Sequence, residues 1–352
     1  MVVFTLAIGD RAVGGRIAIG DEVITVVPVA LSDPALAGDL ASGLVQVEDG
    51  MHEAALAQDE VLAEASAYGI NSGGKRFRAT LVLLAAHFGD PRDSRIVQAA
   101  IAIELTHLAT LYHDDVMDEA EVRRGWESAN SRWANSVAIL TGDYLFARAS
   151  SILADLGTEA VKIQAETFSR LVAGQIAETV GPKPGQDAAE HYMEVITGKT
   201  ASLIATAGQF GAMFSGAPPE LVSAVSAACA ALGVAFQLSD DILDITSESL
   251  QSGKTPGTDL REGVRSLPVL HALRTAGPQD ARLVELLSTD LSDPALLDEA
   301  LGLLRKHPGM DLARADVRHW ANRARELIAA LPDVPARAAL AELCDFMVER
   351  TS

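Results

Sequence analysis

The chain has 352 residues, of which 49% are hydrophobic, 5% aromatic and 22% charged, and this composition excludes a disordered protein, a collagen and a disulfide scaffold. Its net charge of −20 argues against nucleic acid or an anionic membrane as the main partner, because phosphate backbones bind basic surfaces. An acidic protein can still bind phosphates through divalent metal ions. The two cysteines, Cys229 and Cys344, lie in Ala-rich apolar segments and are predicted to be buried, inert thiols.

The sequence shows no signal for export or membrane insertion. No segment reads as the run of about 20 apolar residues that a membrane span requires, and the N-terminus lacks a basic stretch followed by a long apolar one. We therefore expect a cytoplasmic protein without a membrane span.

Residues 1–30 differ from the rest of the chain. The segment GRIAIGDEVITVVPVA is rich in Val and Ile and interrupted by Gly, which predicts an N-terminal appendage of short extended segments. From residue 31 the pattern is helical, since Ser32 or Asp33 can cap a helix that has Pro34 in its first turn. Apolar residues then recur at helical spacing, at Leu36, Leu40, Leu44, Val47 and Met51.

The remainder of the sequence predicts an all-α protein. Long Ala-rich apolar runs alternate with short Gly and Pro breakers, and no convincing strand pattern occurs after residue 30. No Ser/Gly-rich linker divides these runs, so we expect residues 31–352 to form one large helical bundle with a central cavity.

Two aspartate clusters carry the strongest chemical signal. Asp114, Asp115 and Asp118 end a largely apolar helix, where like charges and the helix dipole both disfavour them. A divalent cation such as Mg²⁺ would offset that cost, because it binds carboxylate and phosphate oxygens. The same spacing recurs after a second apolar run, at Asp240, Asp241 and Asp244. The repetition predicts two acid clusters facing one cavity, which a diphosphate bridged by several Mg²⁺ ions would fill.

Basic residues beside glycines are candidates for binding the phosphates. Gly73 and Gly74 precede several cations and would let the backbone close around an anion, although the segment lacks the pattern of a nucleotide-binding P-loop. His107 lies seven residues before Asp114, on nearly the same helix face, and is a further candidate. The other candidates are Lys75, Arg76, Arg78, Arg123, Arg124, Lys199, Thr200 and Lys254.

Six motifs together resemble the trans-polyprenyl diphosphate synthase family in identity, order and spacing. They are GGKRFR, the histidine-bearing helix that ends in DDVMD, RRG, GKT, QLSDDILD and GKTPGTDLREG. The resemblance covers roughly residues 35–350 and is greatest to the medium- and long-chain synthases of actinobacteria.

The resemblance implies an isoprenoid synthase-like bundle, active as a homodimer, that condenses isopentenyl diphosphate head-to-tail onto a dimethylallyl, geranyl, farnesyl or geranylgeranyl diphosphate. Three Mg²⁺ ions would be bound by Asp114, Asp118, Asp240 and Asp244. The allylic diphosphate would be held further by Arg123, Lys199, Thr200, Gln237 and Lys254. Isopentenyl diphosphate would be held by Lys75, Arg78, His107 and Arg124. The catalytic set it implies is Asp114, Asp115, Asp118, Lys199, Asp240 and Asp241.

Two positions depart from the family pattern. Ala79 stands where the family often has Pro, which should alter only the start of the following helix. Val264 and Arg265 stand at an element where the family often has Lys, and Arg265 could replace that contact.

The helix before DDVMD is expected to measure product length. In the family a bulky residue four or five positions before the first aspartate closes the cavity early, whereas Thr110 and Ala109 are small here. The product should therefore exceed 20 carbons, although Tyr112 could narrow the cavity and Phe146 or Phe168 could supply its floor.

The sequence leaves four alternative functions to weigh against this one. They are a short-chain synthase making farnesyl or geranylgeranyl diphosphate, a terpene cyclase, a non-catalytic subunit of a synthase, and a purely structural bundle. The basic motif argues against the cyclase, which needs no second diphosphate site. The complete aspartate motifs argue against the last two.

Overall fold

The computed structural model describes residues 15–19, 22–26, 33–247 and 256–351. Within residues 1–30, where extended segments are predicted, two antiparallel strands occur, β1 (Gly15–Ile19) and β2 (Glu22–Val26), with Ile17 opposite Ile24. The expectation that this segment is an appendage to one domain stays a prediction.

From residue 33 onward the described chain is almost entirely helical, as predicted. The first seven helices are α1 (Pro34–Ala55), α2 (Glu60–Asn71), α3 (Phe77–Ala86), α4 (Arg95–Met117), α5 (Ala129–Trp133), α6 (Asn135–Leu156) and α7 (Thr158–Val180). The next three are α8 (Ala188–Ile196), α9 (Ser202–Phe214) and α10 (Pro219–Thr246). The last six are α11 (Thr258–Arg261), α12 (Leu267–Thr275), α13 (Ala281–Leu286), α14 (Pro294–Leu304), α15 (Gly309–Ala329) and α16 (Pro335–Glu349).

One short hairpin interrupts the helices, contrary to the expectation of no strands after residue 30. Strands β3 (Val122–Arg123) and β4 (Trp126–Glu127) pair antiparallel. Arg124 and Gly125 between them both have positive φ, 54° and 81°, as the two central residues of a type I′ hairpin turn require. Strands of two residues are too short to show an alternating pattern in the sequence.

The chain forms two compact units. The first contains the described residues up to Phe168 together with Leu203–Cys229 and Ile328–Glu342. The second contains Ser169–Ser202, Ala230–Leu327 and the chain from Leu343 onward.

Helix α1 illustrates how the sequence builds the first unit. Asp33 caps the helix by accepting a hydrogen bond from the Leu36 N–H at 2.9 Å, and Pro34 occupies the first turn. The five apolar positions expected to form a stripe are all at most 4% exposed. Close to α4, Gly142 of α6 leaves no room for a side chain, since a Cβ there would lie 2.7 Å from Cδ2 of the His113 ring and 3.1 Å from the Ala109 carbonyl oxygen. These small residues allow α4 and α6 to pack closely.

The core of the second unit is built from α8, the C-terminal half of α10 and helices α12 to α15. Val234, Leu238 and Ile242 of α10 belong to it and are at most 2% exposed. Asp293 caps α14 by accepting a hydrogen bond from the Ala295 N–H at 2.8 Å, so an aspartate begins this helix as Asp33 begins α1.

Two helices are long and apolar enough to span a membrane by length and composition. They are α6, with a mean hydropathy of 1.3, and α10, with 1.9. The prediction that no segment is long and apolar enough for a membrane span is therefore wrong. The core helix of a soluble protein passes the same test, and half of the apolar window of α10 is buried. The absence of a membrane span stays a prediction.

Candidate active site

The first acid motif closes helix α4. Asp114 and Asp115 lie in its last turn, and Asp118 is the C-cap residue, whose N–H donates to the Asp114 carbonyl oxygen at 2.8 Å. Asp114 is half-buried and Asp118 is exposed, whereas Asp115 is only 4% exposed. The outer two carboxylates are therefore the ones accessible to a ligand.

Asp115 holds Arg123 in place. Its Oδ1 atom accepts a hydrogen bond from Arg123 Nε at 2.5 Å. Burial raises the pKa of Asp115, and the positive charge of Arg123 opposes that shift. The family resemblance implied that Asp115 belongs to the catalytic set. The hydrogen bond shows that its carboxylate contacts Arg123.

Arg124 connects the β3–β4 hairpin to the glycines of the basic motif. Its guanidinium donates to the Gly73 carbonyl oxygen. A Cβ on Gly74 would lie 2.9 Å from Arg124 Nη1, so this approach needs a glycine. Burial lowers the pKa of Arg124 to about 10, which leaves the guanidinium charged at neutral pH.

The basic motif leads into α3 through Arg76, which is the N-cap residue. Arg76 is 5% exposed and binds Glu48 of α1 through two hydrogen bonds of 2.7 Å. Lys75 is exposed and Arg78 is half-buried. The motif therefore has one inward cation and two that are accessible.

His107 lies among the arginines of the first unit. Burial and the positive charges of Arg78, Arg124, Arg76 and Arg123, in that order of effect, hold its pKa well below the usual range. The imidazole is therefore neutral at pH 7. The structure thus brings together His107, Arg78 and Arg124, which come from three separate motifs and were predicted to bind isopentenyl diphosphate.

Glu104, one turn before His107, anchors the start of α3. Its Oε1 atom accepts a hydrogen bond from the Ala79 N–H at 2.8 Å, and the residue is 4% exposed. A proline at position 79 would have no N–H to donate. The departure at Ala79 therefore supplies, at the start of α3, an N–H that a proline would lack.

In the second unit, Asp240 pairs with a residue near the C-terminus. Arg350 Nη1 lies 2.9 Å from Asp240 Oδ1. The guanidinium also donates to the Phe236 carbonyl oxygen at 3.0 Å and lies over the rings of Phe236 and Phe346. The Arg350 side chain is 9% exposed and that of Asp240 is 33% exposed, so the carboxylate stays accessible while its orientation is fixed.

Asp241 is the buried centre of a hydrogen-bond network. The Tyr192 hydroxyl donates to its Oδ2 atom, and Gln237 Nε2 donates to Oδ1 at 3.0 Å. Gln237 in turn accepts a hydrogen bond from Thr200 Oγ1 at 2.9 Å. Burial raises the pKa of Asp241 to about 7. Asp241 therefore orients Gln237 and Thr200, both predicted to contact the allylic diphosphate.

Asp244 caps the segment that follows the second acid motif. Its two carboxylate oxygens accept hydrogen bonds of 3.2 Å from the N–H groups of Thr258 and Asp259 at the start of α11. This fixes the end of the GKTPGTDLREG segment against the motif. Lys254 of that segment lies outside the described residues, and Arg265 is exposed.

Lys199 and Thr200 lie in a π-helical turn, Thr197–Ala201, of the kind that often marks functional sites. Lys199 Nζ is 2.5 Å from Glu178 Oε2 of α7. Gly174 of α7 allows the two backbones to approach closely, because a Cβ there would lie 2.6 Å from the backbone nitrogen of Lys199.

The carboxylates fit a cation that shares its coordination with a substrate. In the part of the chain that the structure describes, no group of three or more His, Cys, Asp or Glu side chains is arranged to hold an ion alone. Mg²⁺ commonly binds one or two protein carboxylates and completes its shell with phosphate oxygens and water. Asp114 and Asp118 in the first unit, and Asp240 in the second, each offer accessible carboxylate oxygens of that kind.

The residues expected to set product length lie in the core of the first unit. Ala109 is 1% exposed, and Thr110 Oγ1 donates to the His107 carbonyl oxygen at 2.8 Å. Tyr112 donates to the Ala65 carbonyl oxygen at 2.5 Å, which fixes its ring against α2. Phe146 and Phe168 pack together with ring centroids 4.2 Å apart.

Five residues that the sequence reading did not single out hold these groups in place: Glu48, Glu104, Glu178, Tyr192 and Arg350. Only Glu104 carried a usable signal, since it lies three residues before His107 and hence on the same side of α4. The partners of the others are distant in sequence.

The all-α fold and the match to a family model together define the class of protein, a prenyltransferase. The polyprenyl synthetase family model matches residues 59–304, and the chain belongs to that family. It is 50% identical over 326 residues to a nonaprenyl diphosphate synthase of Mycobacterium tuberculosis, covering 92% of this chain and 97% of that one. It is 40% identical over 321 residues to a dimethylallyltranstransferase of the same organism, covering 91% and 98%.

Solved structures show the same fold. A geranylgeranyl pyrophosphate synthase from Corynebacterium glutamicum, complexed with calcium and isoprenyl diphosphate, is 45% identical, with a TM-score of 0.82 and coverage of 92% and 100%. A decaprenyl diphosphate synthase from Rhodobacter capsulatus is 34% identical, with a TM-score of 0.81 and coverage of 90% and 99%. These comparisons confirm the family, the isoprenoid synthase fold and the prenyltransferase activity predicted from the sequence.

Proposed function

We propose that the chain is an Mg²⁺-dependent polyprenyl diphosphate synthase that adds isopentenyl diphosphate head-to-tail to an allylic diphosphate and makes an all-trans product longer than 20 carbons. One observation carries the proposal. Arg124 of the hairpin donates to the Gly73 carbonyl oxygen of the basic motif, and together with Arg78 beside His107 it forms a cluster suited to a diphosphate without metal, in addition to the carboxylate motifs. A chain with both kinds of site is suited to two diphosphate substrates.

The acid motifs serve the allylic substrate. Asp114, Asp118 and Asp240, with Asp244, would hold the Mg²⁺ ions, and Arg123, Lys199, Thr200, Gln237 and Lys254 would hold the diphosphate directly. Bound Mg²⁺ supplies positive charge that stabilises the leaving pyrophosphate. Asp115 keeps Arg123 oriented, and Asp241 keeps Gln237 and Thr200 oriented, so that these groups need not reorganise when the carbon–oxygen bond breaks.

The arginine cluster serves isopentenyl diphosphate. Lys75, Arg78 and Arg124 supply charge, and neutral His107 supplies a hydrogen-bonding group without adding repulsion among the cations. The bound alkene attacks the allylic carbocation, a carbon–carbon bond forms, and a proton is lost to the departing pyrophosphate. The side chains bind and orient both partners, and none of them acts as a nucleophile.

The long product is supported by small residues and by the relatives. Ala109 and Thr110 leave the helix before DDVMD without a bulky stopper. The relative at 50% identity is a nonaprenyl diphosphate synthase. A short-chain product is the second candidate, favoured by the 45% identity to a geranylgeranyl pyrophosphate synthase.

We also propose a cytoplasmic homodimer. Several apolar side chains are exposed in the part of the chain that the structure describes, among them Ile139 and Leu140 on α6 and Ile176 and Val180 on α7. A second copy of the chain would remove such surface from water.

Substrate dependence tests this function. The purified chain is incubated with an allylic diphosphate, isopentenyl diphosphate and Mg²⁺, and with each component omitted in turn. We expect pyrophosphate release and chain elongation only in the complete mixture. A hydrocarbon formed from the allylic substrate alone would show a terpene cyclase, and no turnover in the complete mixture would favour a non-catalytic subunit.

A further inference from the structure

Arg76 has a backbone conformation that its own side chain does not favour. Its φ and ψ are 44° and 38°, in the left-handed region, which is unfavourable for a residue other than glycine. Its carbonyl oxygen accepts hydrogen bonds from the Thr80 N–H at 2.9 Å and from Thr80 Oγ1 at 2.8 Å, so the same residue starts helix α3. Strain of this kind persists where surrounding contacts fix it, and it concentrates at functional sites.

The contacts that fix Arg76 come mainly from Glu48. Arg76 Nε and Nη2 each lie 2.7 Å from a Glu48 carboxylate oxygen, and Nη2 also donates to the Ile70 carbonyl oxygen at 3.1 Å. The Arg76 side chain is 4% exposed and that of Glu48 is 13% exposed, so water screens the pair weakly. Only an arginine can make this two-bond fork to a carboxylate while reaching a third acceptor.

The pair also determines how charge is distributed in the arginine cluster. Arg76 is one of the charges that act on His107 and on Arg124. With Glu48 present, its charge is paired on the inner side of the loop. Without Glu48, a buried guanidinium would repel its neighbours and could turn toward an incoming anion.

We propose that Glu48 and Arg76 are positioning residues. They hold the segment Gly73–Arg78, which comprises the loop before α3 and the first two residues of that helix, in the conformation that binds isopentenyl diphosphate. The inference rests on the proposed function, because it takes Lys75 and Arg78 as ligands of that substrate. Glu48 and Arg76 act through the loop and contact no substrate themselves.

The test compares Glu48→Gln and Arg76→Lys with Glu64→Gln, which removes the charge of an exposed ion pair with Arg132 in the same unit. Steady-state kinetics with each substrate varied give the two KM values and kcat, and thermal melting reports the fold. Direct binding of isopentenyl diphosphate is measured by calorimetry without the allylic substrate. Lys75→Ala serves as the reference for a lost ligand of that substrate.

We expect Glu48→Gln and Arg76→Lys to weaken the binding of isopentenyl diphosphate. Both its KM and its Kd should rise about 10-fold or more, as the loss of one charge-assisted interaction predicts. The allylic KM should change less than about 3-fold, and Glu64→Gln should behave as wild type. If Glu48→Gln does not fold, the shorter Glu48→Asp keeps the charge and should show a smaller shift of the same kind. Equal changes in both KM values, or no change, would overturn the proposal. Failure of the wild-type chain to bind isopentenyl diphosphate would instead overturn the proposed function.

Discussion

Asp115 and Asp241 occupy the second position of their motifs, and both are buried and bonded to protein groups. Asp115 binds Arg123, and Asp241 binds Tyr192 and Gln237. The first and last aspartates differ, because Asp114, Asp118 and Asp240 remain at least partly accessible. The spacing alone could not separate these roles, since it shows which residues share a helix face and not which of them face the interior.

Removing one accessible aspartate from either motif should lower activity while the fold persists. Asp114→Ala and Asp240→Ala should each lower turnover by orders of magnitude, because each removes a proposed metal ligand. Asp240→Ala should lower the free energy of unfolding by about 1–3 kcal/mol, because it leaves the buried Arg350 without its carboxylate. Turnover near the wild-type value in either variant would contradict the assignment.

His107 should make the protein less stable in mild acid. Its pKa in the folded protein lies well below its value in the unfolded chain, so the unfolded chain binds more protons as the pH falls through about 6.5. The free energy of unfolding should therefore decrease between pH 7 and pH 5. Denaturant melts of wild type and His107→Asn at several pH values measure the effect. An equal decrease in the variant would show that other groups cause it.

At the scale of elements, helices α4 and α10 each deliver an acid motif at their C-terminal ends. In the sequence, the repulsion among neighbouring carboxylates suggested that a cation must offset their charge. In the structure, Arg123 and Arg350 supply positive charge, and the backbone at the start of α11 binds Asp244. Protein groups therefore offset much of the repulsion, and the case for metal rests on the accessible carboxylates and the family.

Helix α4 should act as the ruler for product length. Ala109 is buried in the first unit five residues before the first aspartate, so Ala109→Phe should fill space beside this helix and shorten the product to 15 or 20 carbons. The first condensations should continue, because both acid motifs are unchanged. Chromatography of the dephosphorylated products measures the effect, with Ala109→Ser as the control of similar volume. An unchanged distribution would show that another element sets the length.

The elements were more predictable than the contacts that orient the site. The stripe of α1, its Asp33 cap and the helices that end in aspartates follow from local periodicity and capping chemistry. The Glu48–Arg76 and Tyr192–Asp241 contacts join residues 28 and 49 positions apart, and local spacing cannot predict such pairs. The hairpin that carries Arg124 depends on positive φ at a non-glycine residue, which the sequence does not reveal.

At the scale of the whole molecule, the exposed apolar residues of α6 and α7 predict self-association. Sedimentation velocity at micromolar concentration should give a dimer, and Leu140→Glu, which places charge at a residue 62% exposed, should shift it toward monomer. Ser288→Glu, at an exposed residue outside α6 and α7, is the control for added charge. A wild-type monomer would contradict the homodimer.

Product analysis with labelled isopentenyl diphosphate tests the central claim most directly. The wild-type chain is incubated with Mg²⁺ and, separately, with dimethylallyl, geranyl, farnesyl or geranylgeranyl diphosphate, and the labelled products are separated by length. We predict that label enters all-trans prenyl diphosphates longer than 20 carbons, in steps of one five-carbon unit, only when both substrates and the metal are present. Product that stops at 15 or 20 carbons would contradict the long-chain assignment, and the absence of labelled product with every primer would contradict prenyl elongation itself.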